Sequence, residues 1–173
     1  VHFFRGWKIQ QNIITGHYRL LDQRDNRYKA GTFKNCKTKL DEITEKCELK
    51  SMKDEKVVIV IHGIIRSSKS MKKMKARLEQ EGFVVVPFDY PSTRMSMEKC
   101  ASYLGRTIAS LQDVKEVNFV THSMGGLIVR SWAADNKNTN IGRFVMMGTP
   151  NKGAELADRL KDWKVFKYIL GPA

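Results

Sequence analysis

Residues 117–127 read VNFVTHSMGGL, and this segment predicts a buried strand that turns directly into a helix. Val, Phe and Thr dominate its first five positions, which is typical of a strand inside a sheet. Gly125 and Gly126 follow Ser123 and leave room for the new helix to pack closely against the strand. A turn this tight strains the backbone of its serine and exposes the hydroxyl at the carboxyl edge of the sheet. Ser123 is therefore a candidate nucleophile, the alternative being an ordinary turn before a helix cap.

The neighbours of Ser123 also fit acyl chemistry. The helix beginning at Met124 points its N-terminal amides and positive dipole end at Ser123, so the Met124 amide is a candidate oxyanion donor. Thr121 stands where a G-x-S-x-G pattern has its first glycine, and we expect this small β-branched residue to fit there. His122 is interpreted as packing beside the turn rather than as a base, because it is next to Ser123 in sequence and its side chain is expected to point in another direction.

A second segment precedes this turn. Residues 57–61 are five consecutive β-branched residues, which predicts a strand buried on both faces of a parallel sheet. Acyl transfer needs a second oxyanion donor from the loop after an earlier strand, and here that donor would be the Ile64 amide. Gly63 lets the backbone approach a substrate. His62 is interpreted as a structural hydrogen-bonding residue of this loop.

The rest of the chain predicts two regions. Residues 1–56 form an N-terminal extension, with a β-meander over 7–31 and a helix capped by Thr32 or Asn35. Residues 57–173 form an α/β core in which strands alternate with helices, which indicates a mostly parallel sheet flanked by helices. The predicted core elements are strands at 57–61, 83–89, 117–121 and 142–148, and helices at 70–81, 97–111 and 124–135.

Residues 148–158, GTPNKGAELAD, complete a set of segments that resembles the α/β-hydrolase superfamily, in its bacterial lipase and esterase branch. The resemblance covers about residues 57–158. It implies an α/β-hydrolase fold, Ser123 as nucleophile, an oxyanion hole from the Ile64 and Met124 amides, and carboxylic ester or lipid substrates. It implies no metal or cofactor. The supporting motif residues are His62, Gly63, His122, Gly125 and Gly126.

The rest of a catalytic triad is not assigned. In this fold the acid and then the histidine follow the serine along the chain, yet all four histidines precede Ser123. Asp135, Asp158 and Asp162 lie in predicted helices or helix ends and are not assigned as the acid. We expect the C-terminal strands that would carry both residues to be missing from this chain. The alternatives are a complete but catalytically inactive binding module, or a base supplied by His17.

Three functions therefore remain open. The favoured function is carboxylic ester hydrolysis, as by a lipase or esterase. An acyltransferase or thioesterase would use the same serine turn, and the choice depends on whether water or another alcohol takes the acyl group. An inactive α/β-hydrolase-like binding module would use none of this chemistry. The coding sequence after Ala173 would discriminate between the enzyme and the inactive module.

The net charge is +13, from 31 Lys and Arg against 18 Asp and Glu. One basic run predicts a solvated helix face, or alternatively a contact with an anionic membrane surface. No nucleic acid is expected, because no recognition motif accompanies the charge. The sequence contains no signal peptide and no membrane-spanning run, so the compartment stays open between cytoplasmic and, if a leader is missing, exported. The run consists of Arg66, Lys69, Lys72, Lys73, Lys75 and Arg77.

Overall fold

The computed structural model describes residues 2–111, 113–136 and 140–150. These residues divide into two compact units, one formed up to Glu55 together with Arg106–Lys115, and the other by Lys56–Gly105 with the described residues from Glu116 onward. The elements of the first unit are β1 (His2–Phe4), β2 (Trp7–Gln11), β3 (Tyr18–Leu21), β4 (Arg27–Gly31) and α1 (Phe33–Lys46). Those that follow are β5 (Lys56–Ile61), a 3₁₀ turn (Ser68–Met71), α2 (Lys72–Gln80), β6 (Val84–Phe88), α3 (Met97–Ala109), β7 (Glu116–His122), α4 (Met124–Asp135) and β8 (Ile141–Met147).

The first unit is an antiparallel meander with one helix packed against it. Strands β1 to β4 pair in chain order, so the predicted meander is confirmed and has one additional strand at its start. Thr32 caps α1, its hydroxyl accepting a hydrogen bond from the Asn35 amide at 3.2 Å. Ile9 and Leu20 of the sheet pack against Leu40 of the helix in a buried core.

The second unit is a parallel α/β sheet with the strand order β6-β5-β7-β8. Residues 57–61 and 117–121 are all buried, as the β-branched run at 57–61 and the mostly apolar segment before Ser123 predict for central strands covered on both faces. Met71, just before α2, packs against Val58 and Val60 on one face. The aromatic rings of Phe119 and Trp132 of α4 lie 5.9 Å apart.

The strand order places two loops side by side. Strand β5 connects onward to β6 on one side, whereas its other neighbour, β7, leads onward to β8 in the opposite direction. Ile61 pairs with Thr121 near the carboxyl ends of β5 and β7. Ligands of open α/β sheets bind where the strand order reverses in this way, outside the carboxyl ends. The loops after β5 and β7 are therefore the place to look for a site.

Strand β8 lies at one end of the described sheet and pairs only with β7 there. Val145 and Met146 on this strand are 50% and 40% exposed. That Phe144–Met147 forms an open edge of the sheet stays a prediction, because residues 151–173 lie outside the described residues. The predicted loop and helix beyond Pro150, with Asp158 and Asp162, lie outside the described residues. None of the helices in the described part of the chain has the length and apolar character of a membrane span.

Candidate active site

Ser123 lies between the last residue of β7 and the first residue of α4, with φ 53° and ψ −123°. L-amino acids rarely adopt this combination, which the surrounding structure must hold in place. The Ser123 amide donates to the Met147 carbonyl at 2.9 Å, and the Gly126 amide donates to the Ser123 carbonyl at 3.1 Å. The predicted strand–turn–helix with unusual backbone angles is therefore confirmed, whereas the nucleophilic role stays a prediction.

Gly125 allows this turn to sit against the end of β5. A Cβ atom at Gly125 would lie 2.8 Å from the carbonyl oxygen of His62 and 2.9 Å from that of Ile61. Both obstacles are backbone atoms, which cannot rotate away as a side chain can. A Cβ at Gly126 would lie 2.2 Å from the hydroxyl oxygen of Thr149. The glycine pair is thus required by the close approach of three chain segments.

Gly63 brings the loop after β5 directly alongside Ser123. A Cβ atom at Gly63 would lie 3.1 Å from the Cβ of Ser123 and 2.9 Å from Nδ1 of His122. The structure therefore brings together the two segments that the sequence singles out, His62–Ile64 and Ser123–Met124. That the Ile64 and Met124 amides point at one oxyanion position stays a prediction.

Thr121 shows how the departure from the usual glycine is accommodated. The residue is fully buried, and its hydroxyl donates to the carbonyl oxygen of Val145 on the neighbouring strand at 3.4 Å. Burying a hydroxyl is tolerated when it finds a hydrogen-bond acceptor. Threonine therefore joins the end of β7 to β8 without crowding the serine turn.

His62 is buried and held on several sides. Its Nδ1 lies 2.8 Å from the carbonyl oxygen of Gly63, and its ring stacks on Tyr90 with centroids 4.3 Å apart. The Tyr90 hydroxyl donates to the His62 carbonyl oxygen at 2.8 Å. Burial lowers the pKa of His62, while the Gly63 carbonyl and Asp89 act in the opposite direction. These contacts fit the structural role predicted for this residue, and its ring is neutral near pH 7.

The sequence pattern did not predict a second set of supporting residues, Tyr90 and Ser92, which follow β6. Ile65 has φ 57°, a conformation that is exceptional for a β-branched residue. Its amide donates to the hydroxyl oxygen of buried Ser92 at 3.0 Å. The loop after β6 therefore braces the loop after β5 at both His62 and Ile65. Their position after β6 was the only sequence signal for them, because the loops after adjacent parallel strands leave the same edge of the sheet.

We assign neither the acid nor the base of a catalytic triad to any of the described residues. The His122 side chain is exposed, and Asp135 is exposed at the end of α4. Asp89 accepts hydrogen bonds from the Ser68 amide at 2.6 Å and the Ser68 hydroxyl at 2.7 Å, which fixes the start of the 3₁₀ turn. His2 and His17 belong to the first unit. The described residues also contain no group of three or more His, Cys, Asp or Glu side chains that could hold a metal ion.

Comparison with solved structures defines the fold class. An esterase (EaEST) from Exiguobacterium antarcticum is similar with a TM-score of 0.51 and 23% identity, over 57% of this chain and 39% of that chain. The mature lipase BlEst2 from Bacillus licheniformis is similar with a TM-score of 0.53 and 22% identity, over 72% of this chain and 53% of that chain. Both similarities concern the fold, which is that of part of an α/β-hydrolase. The chain spans about two fifths of the esterase and about half of the lipase.

A family model matches most of the chain and shows to which family the protein belongs. The protein belongs to the family described as a domain of unknown function, DUF7379, whose model matches residues 23–169. No curated protein matches the sequence.

Proposed function

We propose that this protein is a serine hydrolase of carboxylic esters, lipase- or esterase-like, with Ser123 as its nucleophile. The observation that carries the proposal is the backbone of Ser123, with φ 53° and ψ −123° between β7 and α4. Such strain persists in proteins mainly where a side chain must be presented for function. The Gly63 loop beside Ser123 and the position at the reversal of strand order support the same proposal.

The chemistry would proceed in two steps. Ser123 Oγ attacks the ester carbonyl and forms a C–O bond, and the negative charge on the former carbonyl oxygen is stabilised by the Ile64 and Met124 amides. The alcohol then leaves as it takes up a proton. Water adds to the acyl-serine in the second step, which releases the carboxylic acid and restores the hydroxyl. A general base must lie within hydrogen-bond reach of Oγ, and we assign it to none of the described residues.

Ester turnover by the chain and its Ser123→Ala variant tests this proposal. We expect the chain to hydrolyse p-nitrophenyl acetate above the buffer rate, and Ser123→Ala to abolish that excess. Ser102→Ala is the matched control, because Ser102 is exposed on α3, and we expect no change there. Turnover that survives Ser123→Ala unchanged would contradict the proposal. Added ethanol tests the acyltransferase alternative, which predicts ethyl acetate in preference to acetate.

A further inference from the structure

The basic run divides into paired and unpaired cations. Lys75 pairs with Glu79 at 2.8 Å, and Arg77 pairs with Glu81 at 2.7 Å. The remaining four, Arg66, Lys69, Lys72 and Lys73, are exposed and form no ion pair within the part of the chain that the structure describes. Positive charge that the fold leaves unpaired is therefore concentrated at the start of the run.

Helix geometry directs these lysines away from the core. Met71, Met74 and Leu78 pack against the sheet, which fixes the inner face of the segment. Side chains three or four residues apart share a helix face, so Lys72 and Lys73 lie on the outer face with exposed Ala76. Lys69 precedes Lys72 by one 3₁₀ turn and lies on the same side.

Ile65 adds an apolar side chain to this surface. It is 57% exposed although its φ of 57° is one that β-branched residues rarely adopt. The bond from its amide to Ser92 Oγ, 3.0 Å long, holds the residue there. An unfavourable backbone conformation thus keeps an isoleucine in solvent next to Arg66.

This surface, which we call the basic rim, comprises Ile65, Arg66, Lys69, Lys72 and Lys73. It lies between the carboxyl end of β5 and the first turn of α2. Ser123 follows the carboxyl end of β7, which runs parallel to β5. The basic rim and the candidate nucleophile therefore occupy the same edge of the sheet.

We propose that the basic rim docks this protein onto an anionic lipid surface, with Ile65 entering the headgroup region and the four cations contacting phosphate groups. Binding to such surfaces grows with the apolar area inserted and with the number of nearby cations. An exposed isoleucine among unpaired cations supplies both the apolar area and the positive charge. Binding of nucleic acid would depend on the positive charge alone. This inference goes beyond the proposed function and does not require Ser123 to react.

Vesicle sedimentation tests the charge contribution. The Ser123→Ala protein is mixed at physiological salt with vesicles of phosphatidylcholine, with or without 30 mol% phosphatidylglycerol. Because this variant lacks the proposed nucleophile, a failure to bind vesicles is distinguished from a failure to hydrolyse esters. We expect binding only to the anionic vesicles. A cation near such a surface contributes about fivefold, so combining Lys69→Gln, Lys72→Gln and Lys73→Gln should weaken binding about a hundredfold. The matched control removes three exposed lysines of the first unit, Lys29, Lys34 and Lys53, and should weaken it far less.

Ile65→Asn tests the apolar contribution. Asparagine tolerates positive φ better than isoleucine, so this variant should retain or gain thermal stability while losing affinity for anionic vesicles. Ile14→Asn is the control, because Ile14 is 79% exposed in the first unit. The proposal would be overturned if Ile65→Asn and Ile14→Asn lost equal affinity for anionic vesicles, or if the two triple-lysine variants did. It would also be overturned if the protein showed no preference for anionic vesicles. Binding to duplex DNA as tight as to the vesicles, and lost with the same three lysines, would overturn it in favour of a nucleic-acid surface.

Discussion

At the level of single side chains, the candidate site depends on backbone conformations that its residues adopt only under constraint. Ser123 and Ile65 both have positive φ, 53° and 57°, and each donates its amide to a neighbouring segment. Residues in such conformations cost about 1–3 kcal/mol each. The hydrogen bonds from neighbouring loops therefore hold geometry that local preferences oppose.

Glycine at position 123 should reveal this strain. Ser123→Gly removes the Cβ that makes positive φ unfavourable, so we expect the free energy of unfolding to rise by about 1 kcal/mol while ester turnover is lost. Ser102→Gly, in the middle of α3, should instead lower it by about 0.5 kcal/mol through reduced helix propensity. Chemical denaturation measures both variants. Destabilisation by Ser123→Gly as large as that by Ser102→Gly would be inconsistent with a strained serine.

The buried His62 ring predicts a pH dependence of stability. Burial lowers its pKa below the ordinary value of 6.5, so as pH falls below about 6.5 the unfolded chain takes up a proton before the folded chain does. The contribution of His62 to stability is therefore complete above pH 6.5 and is lost as pH falls towards its lower folded-state pKa. We expect the free energy of unfolding to fall less between pH 7 and pH 5 in His62→Gln than in the unaltered protein. A slope in His62→Gln equal to that of the unaltered protein would refute the assignment.

At the level of strands and loops, the order β6-β5-β7-β8 decides which segments meet. The loop after β5 lies between the serine turn after β7 and the bracing loop after β6. Gly63 approaches Ser123 on one side, and Tyr90 and Ser92 bind the loop backbone on the other. The candidate oxyanion loop is thus positioned by both neighbouring strands.

Tyr90→Phe and Ser92→Ala test whether this bracing matters for catalysis. Tyr90→Phe keeps the ring stacked on His62 and removes only the hydroxyl that donates to the His62 carbonyl. Misplacing an oxyanion donor weakens transition-state binding more than substrate binding, so we expect kcat to fall about tenfold with little change in KM. Tyr28→Phe, at an exposed position of the first unit, is the control. A rise in KM alone, or no kinetic change, would show that Tyr90 and Ser92 do not position the loop for catalysis.

The sequence predicts most elements because their signals are local. The β-branched run at 57–61 locates β5, the mostly apolar residues before Ser123 locate β7, and Gly125 locates the serine turn. The predicted helix at 70–81 is α2, which begins at Lys72 because a 3₁₀ turn occupies Ser68–Met71. Asp89, which follows β6, fixes that turn by accepting hydrogen bonds from Ser68. Because this contact is distant in sequence, no local sequence pattern predicts the turn.

The site was predictable in part for the same reason. Ser123 and Gly63 belong to recognisable segments, whereas Tyr90, Ser92 and the positive φ of Ile65 depend on strand pairing and tertiary hydrogen bonds. Thr121 could be predicted to fit, but its acceptor on β8 could not. Local sequence patterns therefore identify the residues nearest the candidate chemistry, but not the residues that hold them in place.

At the level of the 173-residue chain, the placement of the histidines limits the rate that we expect of it. All four precede Ser123, and His62 is engaged by Gly63 and Tyr90. Without a base, a serine hydroxyl is a weak nucleophile at neutral pH. The chain is thus expected to depend mainly on its oxyanion donors.

Turnover by the 173-residue chain should therefore be slow and independent of its exposed histidines. An oxyanion hole and binding alone leave about 10³–10⁴-fold acceleration over water. We expect His17→Ala and His122→Ala to retain the p-nitrophenyl acetate turnover that Ser123→Ala abolishes. Rapid, Ser123-dependent turnover that disappears with either histidine substitution would place a working base inside these residues.

Covalent labelling of the folded chain tests directly whether Ser123 is the nucleophile. A fluorophosphonate forms an Oγ–P bond with a serine hydroxyl as fluoride leaves, faster where backbone amides stabilise the charge that develops on the phosphoryl oxygen, and peptide mass spectrometry locates the adduct. We expect one dominant adduct, on Ser123, which is absent when the protein is first unfolded in urea. No adduct on Ser123, or equal labelling of other serines in the folded and unfolded chain, would contradict the nucleophilic role of Ser123.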